Sequence, residues 1–356
     1  MNITSNRQLQ KPRMRDIARK AGVSLGTVSR VMNGNPEVDP ELVERVINIA
    51  RQVGYLDSRS IIDTELGAIG YLVDTDTYDS LMTEPFQQRF LWGVEQAAST
   101  RGGHVVFASC REDIQRNVLP SMVTRRLVQG IVIKPTRTTP EPWIKALREA
   151  VPTVMLMHRT TDHSVPSVMC DNEEGMYRAL AQLKALGHTR IGFFSEDDLE
   201  RTTPHHLERQ DAFTRLQASF GLTQHPGYIQ TPVRDNARGE DLEDVVQRGL
   251  RNFLALGSER PTAIVGAADV YALSILKALP SFGLSAPEDL SVIGFMNTLQ
   301  CDFSTPPLSS ISLSEEEIGR VAVDLLQRRI ASPQSPLQHI TVGTQLIERM
   351  SCASRL

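Results

Sequence analysis

Apolar side chains at Met14, Ile17, Ala18 and Ala21 follow the i, i+3, i+4, i+7 stripe of an amphipathic helix. Residues 1–12, polar and closed by Pro12, read as a mobile arm before it. Gly22 supplies a sharp turn, and Ser24 can cap a second helix that sends Leu25, Val28, Val31 and Met32 inward. Its open face then carries Gly26, Thr27, Ser29, Arg30 and Asn33. After the Asn33-Gly34-Asn35-Pro36 turn, Asp39 and Pro40 open a third helix with Leu42, Val46, Ile49, Ala50 and Val53 on its inner side, ended by Gly54-Tyr55. Short helices with a tight glycine turn between the first two predict a helix-turn-helix, whose second helix enters the major groove of a duplex.

From residue 66 the texture alternates. Short apolar runs at Ala68–Val73, Val105–Ala108, Ile131–Ile133, Thr153–Met157, Ile191–Phe194, Ala263–Ala267 and Val292–Phe295 are separated by helix-period stretches such as Phe86–Ser99, Met176–Leu186 and Val321–Arg329. That is the signature of βαβ units around parallel sheets. The stretch is too long for one ordinary sheet. It therefore predicts two Rossmann-like α/β subdomains with a cleft between them and a ligand near the C-terminal strand ends. The predicted partition is an arm over 1–12, a head over 13–56, a linker over 57–66 and a two-lobed core over 67–352.

Charge sharpens this picture. The 356 residues carry a net charge of −4, but residues 1–33 hold seven basic side chains and one acidic, while residues 61–356 hold 28 basic and 36 acidic. A cationic head on an acidic body points to an anionic partner for one domain. Arg30 offers a planar fork for guanine O6 and N7, Ser29 and Asn33 can reach base edges or phosphates, and Arg13, Arg15, Arg19 and Lys20 can neutralise phosphates.

Other chemistries find little support. The cysteines, Cys110, Cys170, Cys301 and Cys352, match neither a disulfide framework nor a CxxC ligand pair, and read as reduced thiols. Unbroken apolar runs are short, as at Val154–Met157, and the polar start shows no secretory signal, so a cytoplasmic protein is expected. Searches for GxSxG, phosphate-loop, GxGxxG and HExxH patterns find none in the needed context, and no enzyme, cofactor or metal is predicted. His205-His206 reads as a solvated loop pair; Asp197-Asp198 and Glu315-Glu316-Glu317 read as loop and helix-start charges.

The stretch Arg15-Asp16-Ile17-Ala18-Arg19-Lys20-Ala21-Gly22-Val23-Ser24, with Thr27-Val28-Ser29-Arg30-Val31-Met32-Asn33, closely resembles the helix-turn-helix of the lactose/galactose repressor family of bacterial transcription regulators. Further similar pieces follow in order: Asp171-Asn172 with Gly175, Gly187-His188, Arg209 with Ala212-Phe213, Pro261-Thr262-Ala263, Asp289 to Phe295, Pro307-Leu308 and Leu346 to Arg349. The resemblance implies a homodimer on a pseudo-palindromic operator, with a periplasmic-binding-protein-like core holding a small effector. It puts Arg13, Arg15, Ser24, Leu25, Gly26, Thr27, Ser29, Arg30, Asn33 and Tyr55 at the DNA. Asp76, Lys134, Arg159, Asp171, Arg209, Arg234, Asp269 and Asn297 are the effector candidates.

Departures accompany the matches. The hinge segment, Leu56 to Leu66, is shorter than in the family and lacks its Ala and Leu, so either Ile62 or Leu66 serves as the minor-groove wedge or the segment is an ordinary linker. Gly26 removes one base-reading side chain. Ala268-Asp269 and Met296-Asn297 stand where relatives place polar groups for sugar hydroxyls, whereas Arg209, Arg234, Lys134 and Arg159 favour a carboxylate or phosphate on the effector. Surface charges or ion pairs are the alternative for Lys134 and Arg234. The rival reading of the whole chain is a small-molecule receptor without productive operator binding.

Overall fold

The computed structural model describes residues 14–32, 38–52, 66–75, 85–136, 138–196, 204–235 and 239–355. Arg13, Asn33, Tyr55, Asp76, Ile62 and Asp197-Asp198 lie outside them. The chain divides into two compact units, Met1–Glu65 and Leu66–Leu356.

The first unit contains α1 (Met14–Ala21), α2 (Leu25–Met32) and α3 (Pro40–Gln52). Ile17, Ala18, Ala21, Val28, Val31, Val46 and Ala50 form its core. Gly22 turns the chain at φ 66°, a left-handed conformation in which Val23 N–H donates to the Ala18 carbonyl at 3.1 Å. Ser24 Oγ accepts from Thr27 N–H at 3.0 Å, and Asp39 Oδ1 from Glu41 and Leu42 N–H, so the anticipated residues cap α2 and α3.

In the second unit, one lobe begins with β1 (Ala68–Val73), α4 (Pro85–Ser99), β2 (His104–Ser109), β3 (Ile131–Lys134), α5 (Glu141–Ala150), β4 (Thr153–Leu156) and β5 (Ser167–Cys170). The other holds α6 (Asn172–Ala185), β6 (Ile191–Phe194), α7 (Pro204–Ser219), β7 (Ile229–Gln230), α8 (Leu242–Leu254), β8 (Ala263–Gly266), α9 (Asp269–Ala278), β9 (Ser291–Phe295) and β10 (Ser309–Ser312). The chain then returns to the first lobe through α10 (Glu315–Ala331) and β11 (His339–Val342), and ends in the second with β12 (Gln345–Ile347). Segments at 170–172, 312–315 and 342–345 thus cross between the lobes.

The sheets run β11-β5-β4-β3-β1-β2 and β12-β10-β9-β8-β6-β7. Setting aside β11 and β12, both follow one doubly wound order, a repeat that the sequence does not display. Parallel pairing holds except between β10 and β12, which run antiparallel. Helices cover the faces of these sheets, which explains the unbroken apolar strands: β4, β6 and β8 are buried along their whole length. The order of strand addition reverses between the parallel neighbours β1 and β3, and between β6 and β8, so a crevice opens at the C-terminal strand ends.

Leu66 is 2% exposed and packs into this unit's core, with its N–H donating to the Arg101 carbonyl at 3.0 Å. It is therefore not an apolar wedge for DNA; it is anchored where β1 begins. Among the described residues no helix is long and apolar enough to cross a membrane.

Candidate DNA-reading helix and effector cleft

On α2, Val28 and Val31 face the core, which leaves Ser24, Leu25, Gly26 and Arg30 exposed and Thr27 and Ser29 half-buried. Leu25 departs from the inward position expected of it and is 54% exposed. It is the first residue after the cap, one turn before Val28, and lies outside the cluster that Val28 and Val31 complete. α2 thus exposes one large apolar side chain, Leu25, and one cationic side chain, Arg30. Arg15, Arg19 and Lys20 are exposed on α1, although Arg19 also sits 3.5 Å from Asp16.

The effector candidates in the second unit fall into separate environments. Arg209 on α7 is 2% exposed; its Nε donates to Asn172 Oδ1 at 2.8 Å and its Nη1 to the Ala267 carbonyl at 2.6 Å. The guanidinium also lies over the Phe295 ring, 4.6 Å from its centroid, and burial lowers its pKa. Arg234 pairs with Glu196 through two hydrogen bonds, one from Nη2 to Oε2 at 2.9 Å, in side chains only 9% and 3% exposed. A buried carboxylate thus balances the Arg234 charge.

Asp269 begins α9 and is buried; Oδ2 accepts from Thr298 N–H at 2.7 Å and Oδ1 from Ser310 Oγ at 2.5 Å. Burial raises its pKa against the lowering effect of those donors. Gly294 permits the approach, since a Cβ there would fall 2.2 Å from Asp269 Oδ1. Asn297, at φ 48°, donates its N–H to Ser310 Oγ at 3.0 Å and accepts from Arg349 Nη2 at 2.8 Å. Both residues tie β9 to β10. Asp171 caps α6 by accepting from Glu174 N–H at 2.8 Å, and with exposed Arg159 it lines a depression of about 270 Å³ that Asn172 and Glu208 share. Lys134 is half-buried at the end of β3.

Several groups escaped the sequence reading. His205 and His206 form the first turn of α7, not a solvated loop, because the helix start is packed against the other lobe's strand end. His205 Nε2 donates to the Met157 carbonyl at 2.7 Å, while Asn172 Nδ2 lies 3.2 Å from His205 Nδ1 and donates to Glu208 Oε2 at 2.5 Å. His206 packs edge-on against Tyr271 at 5.5 Å, and burial, with the charge of Arg209, pushes its pKa down to about 3. Asp74, just after β1, is buried and takes Arg111 Nε at 2.6 Å and Thr136 Oγ1 at 2.9 Å. The dipeptide Asp171-Asn172 and Arg209 were the visible pointers to the group around Asn172, His205 and Glu208.

The match to known proteins now has a structural frame. Residues 13–58 match the model described as bacterial regulatory proteins, lacI family, and residues 180–352 match the periplasmic binding protein-like domain. The ribose operon repressor of Escherichia coli (strain K12) is 30% identical over 344 residues, covering 95% of this chain and 99% of the relative. The chain belongs to the lacI family. It is accordingly a DNA-binding transcription regulator with an effector-binding core. The HTH-type transcriptional repressor CytR of the same organism is 29% identical, with 94% of this chain and 93% of that protein covered. Among solved structures, the transcriptional regulator CelR in complex with cellobiose is 26% identical at a TM-score of 0.65, covering 96% of this chain and 99% of that one. The lac repressor dimer bound to operator, at 20% identity and a TM-score of 0.61, shares the fold.

Proposed function

We propose that this lacI-family protein is a cytoplasmic, homodimeric repressor of transcription without enzymatic activity. Its head, 13–56, reads a pseudo-palindromic operator, a linker over 57–66 joins it to the core, and the core, 67–352, binds a small effector in its cleft. Within the head, Leu25 and Arg30 meet base edges, Ser24, Gly26, Thr27, Ser29 and Asn33 border the groove, and Arg13, Arg15 and Tyr55 hold phosphates. The observation that carries the reading is the open face of α2, with Leu25, Gly26 and Arg30 exposed and Thr27 and Ser29 half-buried, while Val28 and Val31 turn into the unit's own core.

The effector we infer is a neutral polyhydroxyl compound. Arg234 is already balanced by Glu196, and Arg209 is spent on Asn172 and the Ala267 carbonyl, so neither offers a free guanidinium to a phosphate. The depression is lined instead by four carboxylates, Asp171, Glu173, Glu208 and Asp211, against two guanidinium groups, Arg159 and Arg215, a balance that suits donating hydroxyls over a phosphate. CelR, bound to cellobiose in its structure, is consistent with this class. Effector in the cleft favours one arrangement of the lobes and thereby alters operator affinity, by no more than its differential affinity for the two arrangements.

Selection of random duplexes by the full-length protein at two salt concentrations tests operator binding; an enriched palindrome is expected, and absence of enrichment at both salts refutes it. Calorimetry with neutral saccharides and their phosphates tests the effector class. Tighter binding of the phosphates would return the anionic reading to favour.

A further inference from the structure

Where the crossing segments at 312–315 and 342–345 run between the lobes lies an open depression of about 640 Å³. One lobe contributes Arg89 of α4 and Glu315, Glu316 and Glu317 of α10; the other contributes Glu174 and Arg178 of α6. Its walls are built. A Cβ on Gly93 would fall 2.1 Å from the Glu316 carbonyl oxygen, so α4 and α10 meet backbone to backbone, and Ser314 Oγ donates to the Gly343 carbonyl at 2.9 Å.

Glu315 is the anomaly. The sequence reads it as a solvated helix-start charge, yet it is 2% exposed, and its Oε1 has no hydrogen-bond partner among the described residues. Arg89 Nη1 stands 3.9 Å from the other oxygen, beyond hydrogen-bond range. A buried carboxyl oxygen left without a donor is costly, and such a site calls for an occupant. The neighbouring acids are otherwise engaged: Glu174 accepts from Thr344 N–H at 2.8 Å and Arg178 at 2.6 Å, and Glu317 accepts from Arg320 at 2.7 Å. The lining holds four carboxyl groups against two guanidinium groups, with the hydroxyls of Ser312 and Ser314 beside them.

We propose that this depression is a second ligand site, separate from the effector cleft, that takes a small organic cation whose ammonium group donates to Glu315. Both lobes line it, so an occupant biases their arrangement; this regulatory consequence rests on the repressor reading above, whereas the binding itself does not. Burial raises the Glu315 pKa to about 7; the residue's own backbone N–H and then Arg89 oppose the rise, and Asp269 and Glu316 add to it. Arrival of a cation at neutral pH therefore expels a proton from that carboxyl.

Calorimetry on the full-length protein with 1,4-diaminobutane, and with 1,4-butanediol as the uncharged control, tests the site. Saturable binding of the diamine and none of the diol is expected, with affinity falling about tenfold or more in Glu315→Gln, the scale of one lost charge-assisted hydrogen bond. Titration at pH 7 in buffers of different ionisation enthalpy should show proton release that disappears in Glu315→Gln. Where that variant melts early, Glu316→Gln at the exposed rim substitutes, with a smaller loss of affinity. Equal binding of diol and diamine, no binding of the diamine, or unchanged affinity in both variants overturns the site. Because these titrations contain no DNA, failure of the operator reading leaves them interpretable. Intact diamine binding with unchanged operator affinity removes only the regulatory consequence.

Discussion

The imidazole Nε2 of His205, on α7, donates to the backbone carbonyl of Met157 at 2.7 Å, so a side chain of one lobe is bonded to the main chain of the other at the strand end. The same ring lies 3.2 Å from Asn172, which in turn accepts from Arg209. Closure of the lobes and the polar floor of the cleft are one network.

His205→Ala removes that interlobe bond. A net hydrogen bond of about 1 kcal/mol corresponds to roughly a fivefold shift toward lobe opening. Small-angle scattering without ligand should show a larger radius of gyration, and calorimetry a matching loss of effector affinity; unchanged values in both would remove His205 from the closure.

Arg209→Ala deletes a buried cation and strands Asn172 Oδ1 and the Ala267 carbonyl. The expected cost is about 2–4 kcal/mol of stability, together with loss of effector binding. Arg209→Lys should recover little, since a point charge cannot serve both acceptors and lie over Phe295 at once. Denaturant melts alongside calorimetry check both statements.

Glu196→Gln removes the buried carboxylate charge that pairs with Arg234, a change worth up to about 3–5 kcal/mol for a buried pair. The double variant Glu196→Gln, Arg234→Gln should be more stable than the single one.

For DNA, Arg30→Ala should cost about 1–3 kcal/mol and relax base preference, whereas Arg15→Ala should weaken binding evenly across sequences and flatten the salt dependence. Anisotropy titrations against selected and scrambled duplexes separate the two. An even loss for Arg30→Ala would assign it to phosphate.

Glu315 and His206 impose opposite pH dependences. The Glu315 carboxyl titrates near 7 when folded against an ordinary 4.5, so the folded protein holds the extra proton between those values. Stability from this group falls as pH rises through that window, by about 3 kcal/mol, and is flat above it. His206 titrates at about 3 against 6.5, so the unfolded chain binds more protons there and stability rises over that range. Subtracting the Glu315→Gln profile from wild type isolates the falling component, and a flat difference curve would contradict the assignment.

How much of this was legible follows from the range over which each signal acts. The helices of the head and the buried strands are local periodicities, so Met14, Ile17, Ala18 and Ala21 announce α1, and the run Ile191–Phe194 announces β6. Caps act within one turn, which is why Ser24 and Asp39 could be named in advance. Where neighbours from elsewhere intrude, the local reading fails. Leu25 has the spacing of a core residue but lies outside the core cluster, while Leu66 and Glu315 sit in polar stretches yet are buried by packing around them.

The sequence by itself determined the two-part organisation, the charge of the head, the family and the set of candidate residues for recognition, because these are properties of composition, spacing and likeness. Tertiary structure decided which charges remain available. Arg234 meets Glu196 across 38 positions and Arg209 meets Asn172 across 37, and no periodicity encodes such pairings. A guanidinium is a recognition group only while it lacks a better partner, and that depends on the chain folding its carboxylates and amides against it.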